Sequence, residues 1–414
     1  MLGTLLSKVI EHGTLTVVWP NDTISVYGAG TPRATVRLRG WWTPWAIGLK
    51  PDLVFGEAYM DGRLTVEEGT LADVLEILIS NLGMRPPPRI MWLERTFRHC
   101  FRSIAQFNRA ARARKNVAHH YDLSGELYDL FLDIDRQYSC AYFSEPKMSL
   151  EAAQAAKKRH IAAKLKLDRP GLTGLDIGSG WGGLGLELAG EGKADVLGVT
   201  LSTEQLALAN QRAEAAGLAE HCRFKLEDYR TVAGPFDRIV SVGMFEHVGV
   251  KFFDVFFKKM HDLLAPDGVA LLHTIGRTDG PGATNPWIAK YIFPGGYTPA
   301  LSEVMAAIER SGLYATDVEV LRLHYAETLK EWRARFLKNW AKAVALYDER
   351  FCRMWEFYLA GAEMTFRYDH LVVYQIQITK QLETLPINRD YMVDSERTMR
   401  FVGAGRGPRA HEAA

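Results

Sequence analysis

The sequence predicts a doubly wound α/β domain that follows a small α+β domain. From about residue 120 onward, strand-like and helical runs alternate, which is typical of a parallel sheet covered by helices on both faces. The stretch LDIGSGWGG, residues 175–183, joins a strand to a helix through glycines in G-x-G-x-x-G spacing. The first 84 residues instead combine several strand-like runs with helical ones.

The small N-terminal domain is predicted to span residues 1–84. A short helix leads into the strand-like runs LTVVWP, ISVYG and ATVRLRG, and the run TLADVLEILISNL has the apolar spacing of a helix. Turn-forming pairs, Asn21-Asp22 and Asp61-Gly62, separate these runs. The first residues include an acid and contain no small-residue cleavage site, so we interpret them as part of the fold and not as a signal peptide.

A basic connector is predicted over residues 85–116. Three consecutive prolines, Pro86–Pro88, are incompatible with a helix and mark the domain boundary. Residues 85–115 contain eight Arg and one Lys but a single acid, Glu94, which is a net charge of +8 in a chain whose formal charge is +1. Aromatic residues are interleaved with these charges, namely Trp92, Phe97, Phe101 and Phe107. Two interpretations remain open, a solvated helix face and a surface for anionic lipid.

The following region, residues 117–390, is predicted to be the doubly wound domain. Its strands are the runs GLTGLDIG, ADVLGVT, HCRFKLED, FDRIVSVG and GVALLHTIG, and its helices include WGGLGLELAGEG, TEQLALANQRAEAAGL and KFFDVFFKKMHDLLAPDG. Ligands of this architecture bind at the carboxyl ends of the strands. Residues 391–414 are predicted to form a disordered tail.

The composition, with 47% hydrophobic and 24% charged residues, is ordinary for a globular protein. The near-neutral charge gives no overall attraction to nucleic acid. The four cysteines, Cys100, Cys140, Cys222 and Cys352, lack the spacing of metal ligands, which predicts no metal site and favours a reducing cytoplasm. No run reaches the roughly 18 apolar residues of a spanning helix, so we expect a protein that touches a membrane without crossing it.

The residues around the glycines indicate which nucleotide they hold. A dinucleotide site needs an acid at the end of the second strand, where this sequence has Thr200 and Ser202. An acid instead precedes the glycines, at Asp176, where it would repel a pyrophosphate and attract a cation. S-adenosylmethionine carries a sulfonium and an ammonium and has no phosphate. The sequence therefore favours S-adenosylmethionine over a dinucleotide.

Several segments together resemble the cyclopropane fatty acyl phospholipid synthases and the related mycolic acid cyclopropane synthases. The segments are YDLSGELYDLFLD, QYSCAYF, LDIGSGWGG, GVTLSTEQ, DRIVSVGMFEHVG and LLHTIG…WIAKYIFPGG, in that order between about His119 and Thr379. The N-terminal region is more loosely similar to the small lipid-associated domain of the bacterial phospholipid enzymes. One departure is Ser179, where these enzymes usually carry Cys. The resemblance implies a class I S-adenosylmethionine-dependent methyltransferase fold for the doubly wound domain.

The resemblance also implies the reaction, which is transfer of the methyl of S-adenosylmethionine to a cis double bond in a membrane phospholipid, followed by ring closure. An alkene is a weak nucleophile, so the enzyme must align it with the methyl group and exclude water. In this family a bound bicarbonate is thought to take the proton. The residues that correspond to its ligands are Cys140, Glu246, His273, Ile275 and Tyr325.

The predicted cofactor contacts come from the resemblance and from the glycine loop. The resemblance assigns them to Tyr138, Ser139, Gly178, Gly180, Thr200, Gln205, Asp228 and Tyr229, and the loop and its surroundings add Asp176, Ser179, Gly182 and Ser202. His247 is left out because it would point away from Glu246 in a continuing strand. The expected partners are an unsaturated phospholipid and the anionic inner face of the cytoplasmic membrane, with no nucleic acid and a possible homodimer.

Alternatives remain open at this stage. Cys140 and Tyr325 could belong to the core, and the stripe Leu329, Trp332, Phe336 and Trp340 could be core or the wall of a lipid channel. Trp41, Trp42 and Trp45 could meet the membrane or pack inside the N-terminal domain. The product could be a methyl- or methylene-branched chain, or the substrate a small amine. A lipid-binding module without catalysis and a dinucleotide oxidoreductase are disfavoured by the site residues and by Thr200.

Overall fold

The computed structural model describes residues 2–83 and 124–399. These residues divide between two units. Unit 1 contains 2–83, 276–300 and 325–372, and unit 2 contains 124–275, 301–324 and 373–399. The basic connector with its four aromatic residues lies outside the described residues, as do Cys100, His119 and His120.

Helices and strands are numbered here along the whole chain. The helices are α1 Leu2–Val9, α2 Thr43–Leu49, α3 Pro51–Met60, α4 Leu71–Gly83, α5 Gly125–Asp129, α6 Leu150–Lys164, α7 Gly183–Gly190, α8 Thr203–Ala215, α9 Phe253–Leu263, α10 Pro286–Tyr291, α11 Leu301–Arg310, α12 His324–Lys338, α13 Trp340–Leu346, α14 Glu349–Tyr368 and α15 Asp390–Thr398. The strands are β1 His12–Val18, β2 Ile24–Leu38, β3 Leu64–Glu68, β4 Thr173–Ile177, β5 Asp195–Thr200, β6 Cys222–Leu226, β7 Phe236–Val242, β8 Leu264–Arg277, β9 Tyr314–Leu321 and β10 Leu371–Thr379. Short 3₁₀ turns occur at Phe245–His247, Val250–Phe252 and Leu382–Thr384.

The antiparallel sheet of unit 1 has the order β1-β2-β3. The runs ISVYG and ATVRLRG, expected as two strands, are the two halves of β2, and β1 pairs with both: Leu15 is opposite Tyr27 in one half and Ala34 in the other. The bend between the halves begins at Gly28, whose φ of +70° favours glycine. Helices α2 and α3, which complete this part of the fold, were not predicted from the sequence.

Unit 1 also contains segments that the sequence predicts to be part of the doubly wound domain. Ala360 and Met364 of α14 pack in one cluster with Leu71 and Leu75 of α4. Segments 276–300 and 325–372 of the expected domain over 117–390 thus group with the N-terminal residues by their contacts. Local apolar spacing shows that a helix such as α14 has a buried face, but it does not show which element covers that face.

Unit 2 contains a seven-stranded sheet in the order β6-β5-β4-β7-β8-β10-β9. Strands β6, β5, β4, β7 and β8 are parallel, and β9 runs antiparallel to β10. The core on one side of the sheet joins Ile161 of α6 and Ala209 of α8 to Val196, Val240 and Leu271 of the strands. This arrangement confirms the predicted doubly wound α/β domain, and it aligns the carboxyl ends of β4, β5, β6 and β7 along one edge.

The tail expected to be disordered from residue 391 instead begins with a helix, α15. Tyr391 accepts a hydrogen bond from Gln377 of β10 at 2.7 Å, and Glu396 lies 3.0 Å from Nδ1 of His160 in α6. The expectation of disorder is thus wrong for residues 391–398, because partners distant in sequence stabilise a segment with little apolar content of its own. Residues 400–414 lie outside the described residues.

Within residues 2–83 and 124–399, no helix has both the length and the apolar character needed to cross a membrane.

Candidate active site

The glycine loop between β4 and α7 has a conformation that requires glycine. Gly178 and Gly182 have φ values of +85° and +84°. A Cβ on Gly182 would lie 2.7 Å from the ring of Phe224, and one on Gly178 would lie 2.8 Å from Cβ of Met244. The amides of Gly178 and Ser179 donate to the carbonyl of Val199 at 2.9 and 3.0 Å. These bonds join the loop to β5 and hold the carboxyl ends of β4 and β5 together.

This loop forms one wall of a pocket at the carboxyl ends of the strands. The pocket has an empty volume of about 1300 Å³, part of it open to solvent. Ten of the twelve residues predicted to bind the cofactor line it: Tyr138, Ser139, Asp176, Gly178, Ser179, Gly180, Thr200, Gln205, Asp228 and Tyr229. The two others do not line it, since Ser202 caps α8 by accepting from the amide of Gln205, and Gly182 lies against Phe224 at the start of α7.

Asp176 is the buried carboxylate of this pocket. Its side chain is 2% exposed, and within the described part of the chain no group hydrogen-bonds to Oδ2. Burial raises the pKa of Asp176 to about 7, partly opposed by the charge of Lys157. A pocket that already contains an unpaired carboxylate is suited to a ligand with an ammonium group, which would restore the charged form.

Lys157 of α6 lines the same pocket and was missed from the sequence. Its ammonium donates to Oε1 of Gln137 at 2.6 Å and to the hydroxyl of Ser139 at 2.9 Å. Burial lowers the pKa of Lys157 to about 8. The spacing along the helix could have indicated its burial, because Lys157 lies four residues after Ala153 and four before Ile161, on the buried face of the helix.

The end of β5 contains neutral groups where a dinucleotide site would have an acid. The hydroxyl of Thr200 donates to Oε1 of Gln205 at 2.8 Å, so these two residues bind each other. Two acids follow on this wall: Glu227 accepts a hydrogen bond from the hydroxyl of Thr231 at 3.0 Å, and Asp228 accepts two from Arg230, at 2.8 and 2.6 Å. The charge of Asp228 is therefore compensated by an arginine, in contrast to that of Asp176.

Three of the residues predicted to hold bicarbonate meet where β7 and β8 end. Val242 is opposite His273 in the sheet, and the amide of Gly243 donates to the His273 carbonyl at 2.9 Å. Glu246 follows in the 3₁₀ turn, and its Oε1 accepts from the amide of Ile275 at 2.6 Å. These bonds connect the end of β7 and the turn that follows it to residues 273–275 of β8, the part of the fold that contains Glu246, His273 and Ile275.

Glu246 resembles Asp176 in its electrostatics. Its Oε2 is buried and accepts no hydrogen bond from any residue that the structure describes. Burial raises the pKa of Glu246 to about 7, against the lowering effects of the Ile275 amide, its own backbone amide and the Thr274 hydroxyl. Burial also lowers the pKa of His273 well below its ordinary value, and nearby cations add to this effect, so its ring is neutral. Its Nδ1 lies 3.1 Å from Nε2 of Gln375.

Cys140 and Tyr325 are placed differently. The Cys140 thiol is buried, donates to the carbonyl of Ala141 at 3.3 Å, and lies near enough to Lys157 to raise the pKa of that lysine. Tyr325 belongs to unit 1, where its ring packs against Trp332 and Phe366 with centroids 5.8 and 4.8 Å apart. The stripe on α12 is core, since Leu329, Trp332 and Phe336 are fully buried and Trp340 packs on Phe336.

His247 is a pocket residue that the sequence analysis excluded. Because residues 245–247 form a 3₁₀ turn and not a strand, Glu246 bonds to Ile275 of β8 while His247 lines the cofactor pocket. Burial lowers the pKa of His247 to about 4, which keeps the imidazole neutral. The two side chains do point in different directions, as expected. His247 was nevertheless wrongly left out of the pocket residues, because it lines the cofactor pocket.

A sequence model of the family described as mycolic acid cyclopropane synthetase matches residues 108–376, more than half of the chain. The chain belongs to this family. A second model, described as a domain of unknown function (DUF7884), matches residues 1–84. The family assignment confirms the resemblance seen in the sequence, and the fold is that of class I S-adenosylmethionine-dependent methyltransferases.

Individual relatives differ in the activity that their names record. The chain is 37% identical to the tuberculostearic acid methyltransferase UfaA1 of Mycobacterium tuberculosis, with 91% of this chain and 90% of that protein covered. It is also 37% identical to the cyclopropane-fatty-acyl-phospholipid synthase of Escherichia coli, with 80% and 84% covered. Among solved structures, the mycolic acid cyclopropane synthase CmaA1, complexed with SAH and CTAB, has 36% identity and a TM-score of 0.61 over 64% of this chain and 97% of that one.

Proposed function

We propose that this protein transfers the methyl group of S-adenosylmethionine to a cis double bond of an unsaturated phospholipid acyl chain and closes a cyclopropane ring. The observation that carries the proposal is the 3₁₀ turn at residues 245–247. It contributes His247 to the cofactor pocket and Glu246 to the cluster with Ile275 and His273. A methyl donor and a proton acceptor would therefore be held on the two sides of one turn.

The amino-acid end of S-adenosylmethionine matches the two unusual groups of the pocket. Its ammonium would pair with the Asp176 carboxylate, and its carboxylate would lie near the Lys157 ammonium. Thr200 and Gln205 bind each other at the end of β5, where a dinucleotide would need an acid. These features support S-adenosylmethionine over a phosphate-bearing cofactor.

Bicarbonate fits the cluster at β7 and β8. Glu246 has a buried oxygen that accepts no hydrogen bond within the described residues and a pKa of about 7, so it is suited to share a proton with an acidic oxyanion. Neutral His273 retains one N–H that can donate to such a ligand. We infer that Glu246 and His273, with Cys140 and Ile275 of the same unit, hold bicarbonate. When bound, bicarbonate supplies the base for the proton released on ring closure.

A methyl-branched product is the second candidate. The relative that covers 91% of this chain is a tuberculostearic acid methyltransferase, so similarity favours neither outcome. The two products differ in redox balance, because a saturated methyl branch needs a hydride from a reductant and a cyclopropane does not. Glu246 and His273 support the cyclopropane, since ring closure requires only methyl transfer and loss of a proton.

Lipid analysis of cells that express the chain tests the proposal. A cyclopropane adds the mass of one CH₂ to the acyl chain, and a saturated methyl branch adds the mass of CH₄. Proton NMR of the purified lipid then separates the ring methylene from an isomeric methylene branch, which retains vinyl protons. Cells that express Glu246→Gln are the control. Accumulation of a branched chain with no ring signal would overturn the cyclopropane assignment.

We also propose that unit 1 docks on an anionic membrane surface. Trp41, Trp42 and Trp45 are 71%, 83% and 55% exposed, which favours their membrane interpretation over packing inside the domain. The basic connector has a sequence charge of +8 and would contribute roughly 1 kcal/mol for each residue that reaches anionic lipid. A few such contacts give reversible docking to the membrane that holds the substrate.

Sedimentation with phospholipid vesicles tests this docking. We expect binding to increase with the anionic lipid fraction and to decrease with salt, and the double variant Trp41→Ser, Trp42→Ser to bind more weakly than the parent protein. Ile387→Ser is the matched control, because Ile387 is a fully exposed apolar residue of unit 2. Equal loss in both variants, or binding that ignores lipid charge, would contradict the proposal.

A further inference from the structure

A buried chain of polar side chains leads from Lys164 to His273. The Lys164 ammonium donates to Oε1 of Gln375 at 2.7 Å, and Nε2 of Gln375 lies 3.1 Å from Nδ1 of His273. All three side chains are within 2% of complete burial. Lys164 is held in turn by the carboxylate of Glu319, with which it forms an ion pair. The three residues come from α6, β10 and β8, far apart in sequence.

The donor and acceptor roles along this chain follow from the chemistry of its first member. An ammonium group can only donate, so the oxygen of the Gln375 amide must face Lys164. The NH₂ of Gln375 must therefore face His273, and an NH₂ group donates. Nδ1 of His273 is then the acceptor, and the single proton of the neutral ring is on Nε2.

We propose that Lys164 and Gln375 are positioning residues that hold His273 in the tautomer protonated on Nε2. The inference rests on the proposed function, in which the Nε2 proton is donated in a hydrogen bond to the oxyanion that Glu246 also binds. The opposite tautomer would present a lone pair at Nε2 and repel the same ligand. Burial and neighbouring cations keep the ring neutral, so the tautomer decides whether His273 can donate at all.

Replacing Gln375 by glutamate would reverse the donor and acceptor roles in the hydrogen bond to His273. In Gln375→Glu one carboxylate oxygen would pair with Lys164 and the other would face His273 and accept from it. The ring is then expected to move its proton to Nδ1. Gln377→Glu is the matched control, because Gln377 is equally buried two residues along the same strand but donates to the Lys164 carbonyl and to Tyr391.

The test reads the tautomer directly from the ¹⁵N shifts of the His273 ring, assigned among the 12 histidines by its loss in His273→Asn. We expect the Nε2–H tautomer in the wild type and in Gln377→Glu, and the Nδ1–H tautomer in Gln375→Glu. Turnover should decrease by about 10²-fold in Gln375→Glu, as when one donor to an anionic site is removed, while S-adenosylhomocysteine binding is unchanged.

Lys164 provides an independent check in case Gln375→Glu does not fold. Lys164→Met should leave the amide free to rotate and give a mixture of tautomers, and Lys164→Arg should restore the single Nε2–H form. A wild-type ring protonated on Nδ1, or a tautomer change that leaves turnover intact, would overturn the proposal. The spectrum needs no turnover, so an enzyme that forms no ring yet shows Nε2–H contradicts the proposed function and not the positioning role.

Discussion

The cofactor pocket and the cluster at the ends of β7 and β8 each contain a buried carboxylate with one oxygen that accepts no hydrogen bond within the described residues. Burial raises both pKa values, of Asp176 and of Glu246, to about 7. Their surroundings differ. Asp176 lies in an open pocket near the Lys157 ammonium, whereas Glu246 accepts from the backbone amide of Ile275, two residues after His273 in β8.

This difference indicates two uses of the same side-chain chemistry. A buried carboxylate and an ammonium in the same pocket are complementary to a zwitterion, which both groups can bind at once. A buried carboxylate that accepts from a neutral amide is suited to sharing a proton with its ligand. Substitutions that separate charge from shape at each carboxylate can test this contrast.

The largest effect is expected at Glu246. Glu246→Gln preserves shape but removes the charge, so turnover should decrease on the order of 10²–10⁴-fold. Binding of S-adenosylhomocysteine, measured by calorimetry, should be unchanged, because Glu246 does not line the pocket. Full turnover across bicarbonate concentrations would exclude Glu246 from the reaction.

The complementary change is Asp176→Asn. Loss of a charged hydrogen bond to the cofactor ammonium should weaken S-adenosylhomocysteine binding by about tenfold to a hundredfold. Turnover at saturating S-adenosylmethionine should decrease less than in Glu246→Gln. If the two variants exchanged these effects, so that Glu246→Gln weakened binding and Asp176→Asn did not, the division of roles drawn here would be wrong.

Cofactor binding should also depend on pH through Asp176. Because the pKa of Asp176 is about 7 in the empty pocket, its charged fraction decreases as the pH falls from 7 to 6. Affinity for S-adenosylhomocysteine should therefore decrease roughly fivefold over this range. Lys157, with a pKa of about 8, stays protonated throughout. Calorimetry at both pH values measures the change, and Asp176→Asn should bind with no such dependence.

The smallest effect is expected at Ser179, whose buried hydroxyl, like the Asp176 oxygen, accepts or donates no hydrogen bond within the described residues. Ser179→Cys replaces an unpaired polar group by a less polar one and should stabilise the fold by up to about 1 kcal/mol. Thermal denaturation measures this. Affinity for S-adenosylhomocysteine should not change, and a clear loss would show that the hydroxyl itself binds the cofactor.

Much of the pocket could be predicted because its parts are local in sequence. A strand, a glycine loop and a helix occur within residues 173–190, and the positive φ of Gly178 and Gly182 explains why glycine stands there. The place of Asp176 and Thr200 in the pocket could be predicted because each lies at or next to the end of a strand. Lys157 was missed because apolar periodicity does not show that a lysine can lie on the buried face of a helix. His247 was missed because periodicity does not show where a strand ends and a 3₁₀ turn begins.

By itself the sequence determined the order of the first five strands of the doubly wound domain, the glycine loop and its unusual acid, because each depends on contacts between near neighbours. Only the tertiary structure decided which element packs against each apolar face. For example, Ala360 and Met364 pack on α4, and α15 is bonded to β10 and α6. It also decided the state of His273. The proton on that ring is set by Gln375 and Lys164, 102 residues after it and 109 before it, and only folding brings a hydrogen-bond donor to a chosen nitrogen across such a separation.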